Sequence, residues 1–396
     1  MWCQTRAGTK PREKRRHLTI FSLLLIAIPL SYYALYSFAV KKKSQRASLG
    51  PDDNFAPYVS IIIPTYNEIK TIERRVKNLD GIRYPAGSFE AIFVDGASTD
   101  GTPDLIEELG AKGRPFLRVV RQPSRQGYNS AIYEGICQAK SDIVVTGEAS
   151  SFFHPSAVSA VVRHLAASSI GVATGKSELY NPDESLATRL EAAYRTSHDQ
   201  LRFAESKIDS TPDMKGELLA FRKELGLRLK PRETLPDNAS FDMSISYMSR
   251  SLGFRAIFDP EAVFYEYAPT NLKERFIVQI RRGTAFTGAL WNFRSMIFNP
   301  KFGSFGLLIA PSRFLMLIAF PWMLLSAPFV LLFESLSNPY LGLLVCALTG
   351  MGLVYRRTRY VIVSFALSQL VLAAATLRLL FRRHTQFIDA VPTARR

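Results

Sequence analysis

Three cysteines are all that the 396 residues contain. Cys3, Cys137 and Cys346 stand far apart and follow no metal-ligand spacing. That excludes a disulfide framework and a zinc motif, and agrees with a domain that faces a reducing compartment. Acidic side chains are also short, 34 against 50 Lys and Arg, which leaves a net charge of +16. A surplus of that size suits a nucleic-acid partner in principle, but its placement argues against one. Arg12, Lys14, Arg15 and Arg16 precede a long apolar run, Lys41, Lys42 and Lys43 follow it, and Arg356, Arg357 and Arg359 lie between two later runs. Basic residues beside apolar segments match anionic lipid headgroups. No nucleic-acid partner is expected. With 47% hydrophobic and 21% charged residues, the chain is neither disordered nor a pure membrane bundle.

The apolar residues gather at the two ends. The run within His17–Val40 is long enough for a hydrocarbon core of roughly 30 Å. Lys41-Lys42-Lys43 stands where a signal peptide would carry a small-residue cleavage site, so an uncleaved anchor is expected. Three further spans are expected at Arg313–Phe333, Pro339–Tyr355 and Arg359–Phe381, with Phe305–Ala310 and Pro311 as an interfacial lead-in. These segments lack the polar stripe of a buried soluble helix. The expected organisation is a basic tail (1–16), a transmembrane helix (17–40), a linker (41–57), a domain (58–298), an interfacial segment (299–312), transmembrane helices (313–383) and a tail (384–396). Glu334–Asn338 has no positive charge and Tyr355–Tyr360 has three arginines, which puts the arginine loop and the domain in the cytoplasm. The basic N-terminus then lies outside, against the same tendency. Either the first helix does not fully span or the tendency fails there.

Between the apolar ends the pattern is α/β. Val59–Pro64, Phe89–Asp95, Phe116–Arg121 and Asp142–Thr146 read as short buried strands, separated by helices at Glu68–Leu79, Thr102–Leu109 and Gly127–Ala139. Such alternation predicts βαβ units and a mostly parallel sheet, with ligands at the carboxyl ends of the strands. The residues there are polar: Thr65-Tyr66-Asn67-Glu68, Asp95 to Thr102, and Gly147-Glu148-Ala149-Ser150. Helix capping by Ser98 and Thr102 explains part of this. Three carboxylate-bearing turns at one edge exceed what capping needs, and suit a ribose, a base edge or a divalent metal on a diphosphate.

Pro64-Thr-Tyr-Asn-Glu68 followed by Val94-Asp-Gly-Ala-Ser-Thr-Asp-Gly-Thr102 resembles the opening of the family-two inverting glycosyltransferases of GT-A fold. The likeness runs from about Val59 to Phe333 and is nearest to membrane-bound members related to cellulose and poly-N-acetylglucosamine synthases. It implies a nucleotide-sugar donor held by Pro64, Thr65, Tyr66, Glu68, Asp95, Ser98, Asp100, Arg125 and Gly127. The metal motif falls on Glu148-Ala149-Ser150, implying Mg²⁺ or Mn²⁺ at Glu148 and Ser150, although the family carries Asp-x-Asp there. Tyr128 stands where a Lys is usual. Gly216 and Glu217 open a segment that builds the acceptor side, together with Glu266 and Gln279. Asp242, eleven residues before Gly253, takes the place of the catalytic base, with Phe241 where a second acid is usual. Arg281 and Arg282 match the arginine of the Gln-x-x-Arg-Trp motif, with Gly283 in place of Trp.

The expected activity is transfer of a hexose or N-acetylhexosamine to a lipid-linked sugar or glycan at a membrane. The alternative is a catalytically silent GT-A scaffold in an assembly complex, favoured by the altered metal motif, Tyr128 and Phe241. Blander roles stay open for single residues. Asp242 also suits a helix cap, Glu148 a solvated turn, and the arginines lipid headgroups. His154, His198 and the turn-spaced Tyr194, Arg195, His198 and Arg202 read as packing.

Overall fold

The computed structural model describes residues 9–45, 50–85, 87–335 and 356–381, together with 343, 347, 350 and 354. Its centre is one eight-stranded sheet. The strands are β1 (Val59–Thr65), β2 (Phe89–Asp95), β3 (Leu117–Arg121), β4 (Ile143–Gly147), β5 (Phe152–Phe153), β6 (Ile170–Leu179), β7 (Leu218–Arg222) and β8 (Arg255–Glu266), in the spatial order β3-β2-β1-β4-β7-β6-β8-β5. β1 has neighbours on both sides, β2 and β4, both parallel to it. The chain therefore reverses its direction of winding between β1 and β4, and a crevice opens above their carboxyl ends.

Both faces of this half are covered. Val59, Ile61 and Ile63 pack on one side with Ala91, Phe93 and Val145, and Ile62 packs on the other with Ile92, Val94 and Val144. That is why the strands read as continuous apolar runs. α2 (Ile69–Asp80) and α3 (Thr102–Ala111) lie beside one another. α4 (Tyr128–Gln138) crosses β1 so closely that a Cβ on Gly135 would collide with the Ile62 side chain.

The expectation of a mostly parallel sheet holds for β3-β2-β1-β4 and for the pair β6-β8, and breaks at β7 and β5. β7 is antiparallel to both β4 and β6, and β5 is antiparallel to β8. The reason is connectivity. The polypeptide between β4 and β7 carries α5 (Ala157–Val162), β6 and the long α6 (Leu186–Ile208), so β7 enters the sheet from the opposite end. α7 (Lys223–Gly226), α8 (Phe241–Ser251) and α9 (Leu272–Asn292) complete the domain.

Among the described residues three helices are long and apolar enough to cross a membrane: Ile20–Ser44, Phe305–Phe333 and Ile362–Leu380. The first belongs to α1, which runs from Thr9 to Ser44. The lead-in expected at 299–312 divides. Pro300–Phe302 is a short turn, whereas 305 onward joins the same helical run as the expected span. Most of the span expected at Pro339–Tyr355 and the last tail lie outside the described residues. Phe38, Phe329 and Phe333 are 66%, 74% and 68% exposed, an apolar surface that suits lipid rather than water.

α1 is fastened to the domain. Tyr36 donates its hydroxyl to Glu205 of α6 at 2.7 Å, and Arg313 of the second apolar helix donates to both oxygens of the same carboxylate at 3.1 and 2.7 Å. Tyr32 bonds Ser312 at 2.8 Å, and Lys43 reaches Ser304 at 3.1 Å.

Candidate active site

A cavity sits at the carboxyl ends of β1 and β4. Pro64, Thr65, Tyr66, Glu68, Gly96, Gln122 and Arg125 line one end. Tyr128, Glu148, Ala149 and Ser150 line its middle. Lys215, Gly216, Glu217, Asp242, Arg281 and Arg282 line the other. Residues from seven separate stretches of chain thus converge on one space, and Gly127 borders it at the start of α4.

Two turns shape the first end. Asn67 and Ala97 have φ values of 54° and 61°, the left-handed region that non-glycine residues enter at a cost. The turns hold each other in place. Ser98 accepts from the Asn67 N–H at 2.9 Å, Thr102 from the Glu68 N–H at 2.9 Å, and Asp100 from the Ile69 N–H at 3.1 Å. Asp95 accepts from the Ser98 N–H at 2.9 Å and from its hydroxyl at 2.6 Å. Asp95, Ser98 and Asp100 are therefore engaged with the turns and do not line the cavity. They sit behind Thr65, Glu68 and Gly96, which do. Arg125 stacks on the Tyr66 ring at 3.8 Å, a flat cationic edge suited to a base or phosphate.

Glu148 follows β4 directly. Behind it the fully buried Arg75 donates to Asn78 at 2.8 Å and to the Ser151 carbonyl at 3.0 Å, and a Cβ on Gly147 would meet its guanidinium at 2.5 Å. Only glycine fits between the strand end and that arginine. Burial lifts the Glu148 carboxyl well above the usual carboxylate range, and the charge of Glu217 adds to the effect. Among the described residues no three His, Cys, Asp or Glu side chains form a metal cluster. The donor set nevertheless fits a hard cation. The Glu148 carboxylate and the Ser150 hydroxyl are oxygen ligands facing one space, and water with phosphate oxygens completes such a shell.

Asp242 lies in the first turn of α8. Burial raises its pKa to about 6, assisted by Glu217. A Cβ on Gly216 would stand 3.8 Å from Asp242 and 3.0 Å from the Tyr128 hydroxyl, so the glycine keeps this end open. Arg282 donates to Glu217 at 3.1 Å and pairs with Glu266 at 3.7 Å. Glu266 in turn accepts from Arg195 at 2.6 Å, and Arg195 and Gln279 both donate to Glu191, at 3.0 and 2.8 Å. Glu266 and Gln279, expected on the acceptor side, are not among the cavity-lining residues: Glu266 pairs with Arg282, and Gln279 braces Glu191. Arg195 and Arg202 are buried in ion pairs, and His198 stands 3.6 Å from Asp213, in agreement with a packing role.

Sequence reasoning passed over Gln122, Arg75 and Lys215. Gln122 follows β3 in the way that the other cavity residues follow their strands, so strand-end position was a usable signal. Arg75 and Lys215 carried none, because their partners and burial arise only from tertiary packing.

The comparisons with known proteins agree with this geometry. Residues 60–225 match the family model Glycosyl transferase family 2. A Bacillus subtilis protein named "Probable glycosyltransferase YdaM" is 26% identical over 225 residues, 55% of this chain and 52% of that one. A Methanococcus voltae protein is 37% identical over 91 residues, 22% of this chain and 27% of its own length. It is named dolichyl N-acetyl-alpha-D-glucosaminyl phosphate 3-beta-D-2,3-diacetamido-2,3-dideoxy-beta-D-glucuronosyltransferase. The matches span about half or less of these curated relatives. Among solved structures, a mannosyltransferase from Pyrobaculum calidifontis in complex with GDP-Man and Mn²⁺ superposes with a TM-score of 0.78 at 26% identity, over 93% of this chain and 100% of that one. Residues 60–225 are accordingly similar to a glycosyl transferase family 2 domain, and the chain shares the GT-A fold of the Pyrobaculum enzyme.

Proposed function

We propose that the protein is a membrane-bound inverting glycosyltransferase that moves a sugar from a nucleoside-diphosphate sugar to a hydroxyl of a lipid-linked or glycan acceptor. One observation carries the reading: Glu148, Asp242 and the Arg281-Arg282 pair, distant in sequence, face one cavity at the switch point of the sheet. The nucleoside lies against Tyr66 and Arg125, and the diphosphate points toward Arg281 and Arg282. Asp242 takes the proton of the acceptor hydroxyl as its oxygen bonds to the anomeric carbon. The bond from that carbon to the diphosphate breaks on the opposite face, and the nucleoside diphosphate leaves with the electron pair. A positioned base contributes on the order of 10²–10⁴-fold, and the arginine charges stabilise the leaving group. A Mg²⁺ or Mn²⁺ ion held by Glu148 and Ser150 supplies, when bound, further neutralisation of the diphosphate.

The three apolar helices support placement in a membrane, and the lipid named in the Methanococcus relative supports a lipid-linked acceptor. The donor of the Pyrobaculum enzyme puts GDP-Man first in a donor panel, beside UDP-linked glucose and N-acetylglucosamine. The test is release and transfer from that panel by purified protein in detergent, with and without Mn²⁺ or Mg²⁺, beside Asp242→Asn. Metal-dependent turnover of one donor, lost in the variant, is the expected result. Nucleotide binding without turnover of any donor would favour the silent scaffold instead.

A further inference from the structure

Residues 210–217, between α6 and β7, form neither helix nor strand, yet every one of them is buried. Connecting segments normally run over the surface, because a buried one must find partners for its backbone inside the protein. This one finds them on several sides. The Thr211 N–H donates to the Ala256 carbonyl at 2.9 Å, and the Thr211 carbonyl accepts from the Ser246 hydroxyl at 2.8 Å. The Lys215 N–H donates to the Thr174 hydroxyl at 3.0 Å, and the Gly216 carbonyl accepts from the Thr146 hydroxyl at 2.7 Å. Asp213 pairs with Arg202 at 2.8 Å. The segment ends on Met214, Lys215, Gly216 and Glu217, all of which line the cavity.

One tie leads out of the domain. The Thr211 hydroxyl donates at 2.8 Å to Glu205, the same carboxylate that accepts from Tyr36 of α1 and from Arg313 of the second apolar helix. Glu205 is 0% exposed, so solvent does not compete for its oxygens. Two helices long enough to cross a membrane and the segment that walls the cavity are thus fastened to one side chain. The wall bears on the chemistry. Glu217 accepts from Arg282 at 3.1 Å, and Gly216 keeps the space beside Asp242 and Tyr128 open. Misplacing reacting groups by roughly 1 Å can cost on the order of 10²-fold in rate, even when the change lies far from the chemistry. We propose that Glu205 is a positioning residue for transfer: through Thr211 it fixes the wall at 214–217, so that α1 and the second apolar helix set the geometry of Arg282 and Asp242. The proposal rests on the transferase reading and extends it to residues outside the cavity.

Two conservative variants cut the path at its two ends, Tyr36→Phe and Thr211→Val, and Thr211→Ser keeps the hydroxyl. Amide deuterium exchange of the full-length protein in detergent reads the wall without any need for turnover. Loss of one hydrogen bond predicts exchange at 211–217 faster by about two- to tenfold in Tyr36→Phe and in Thr211→Val. Exchange in β1 and β2 and affinity for GDP stay as in the wild type, and Thr211→Ser exchanges like the wild type. The double variant Tyr36→Phe with Thr211→Val exchanges no faster than the faster single one, because both act through one carboxylate. In turnover, kcat falls about tenfold or more while the donor KM stays within about twofold, since the nucleoside end is untouched.

Exchange at 211–217 that ignores Tyr36→Phe would overturn the proposal, and so would additive effects in the double variant. Acceleration spread evenly over the sheet, or a donor KM that rises as kcat falls, would mark Glu205 as a brace of the domain and nothing more. Faster exchange with kcat unchanged would show that the wall does not govern transfer. Absence of transfer from every donor by the wild type sinks the transferase reading alone and leaves the exchange results legible.

Discussion

Asp242 and Glu266 are both half-buried carboxyls, yet their environments drive them apart. Glu266 is drawn below the usual carboxylate range because Arg195 and Arg282 outweigh the effect of burial. Asp242 has no such partner, and burial with the charge of Glu217 leaves it at about 6. A base must be ionised to work, so kcat/KM is expected to fall about tenfold per pH unit below that value and to level off above it. A pH–rate profile checks this, and a flat profile down to pH 5 would remove Asp242 from the role. The same shift has a stability side. The folded carboxyl keeps its proton up to about pH 6, whereas the unfolded one releases it near pH 3.9. Stability therefore falls as pH rises through that window. Asp242→Asn should abolish turnover and raise the metal-free melting temperature at pH 7, by on the order of 1 kcal/mol of stability. Loss of activity with a lowered melting temperature would instead point to a helix-capping residue.

At the scale of elements, the switch point was legible in the sequence because each strand there is short, apolar on both faces and followed at once by polar residues. Thr65, Glu68, Glu148 and their turns could be located by that rule alone. The rule does not separate residues that face a cavity from those that brace it. Asp95, Ser98 and Asp100 have the same composition as a binding loop, and only hydrogen-bond geometry shows their lone pairs directed into the two turns. The antiparallel entry of β7 was illegible for a related reason, since strand direction is set by the path of α6 and not by local pattern. Asp100→Ala follows from this. It removes the acceptor for the Ile69 N–H at the start of α2 and for the Thr102 N–H at the start of α3. A loss of about 1 kcal/mol is expected, with donor KM raised more than kcat is lowered, because the residue positions the turn and touches no reacting atom. A second prediction concerns α4. Gly135→Ala should cost about 1–3 kcal/mol through overpacking on Ile62, measured by thermal unfolding. An unchanged midpoint would mean that α4 can lift off β1.

The whole molecule is organised by one buried junction, where α1, α6 and the second apolar helix meet at Tyr36, Glu205 and Arg313. Removing one member of a buried pair leaves an uncompensated charge, at about 3–5 kcal/mol, so Arg313→Met should strand the Glu205 carboxylate and lower the melting temperature, whereas an unchanged temperature would mean that the Tyr36 hydroxyl alone suffices at the junction. The junction also bears on orientation. The Lys41–Ser44 end of α1 meets Gln200 of the domain and Ser304 at the start of the second apolar helix. If Ile20–Ser44 crosses the membrane, it does so with that end on the domain side, and the preceding basic stretch emerges on the other face. That arrangement breaks the usual charge asymmetry, and packing of α1 on α6 is the force that would hold it. The natural cysteines can decide the matter. Cys137 is exposed on the domain, and Cys3 precedes α1. In sealed right-side-out vesicles, a variant keeping only Cys3 should react with an impermeant maleimide, and one keeping only Cys137 should react only after permeabilisation. Protection of both thiols would mean that α1 lies against the membrane or re-enters, and that the basic N-terminus obeys the charge rule after all. Reaction of Cys137 in sealed vesicles would place the domain outside and overturn the cytoplasmic assignment.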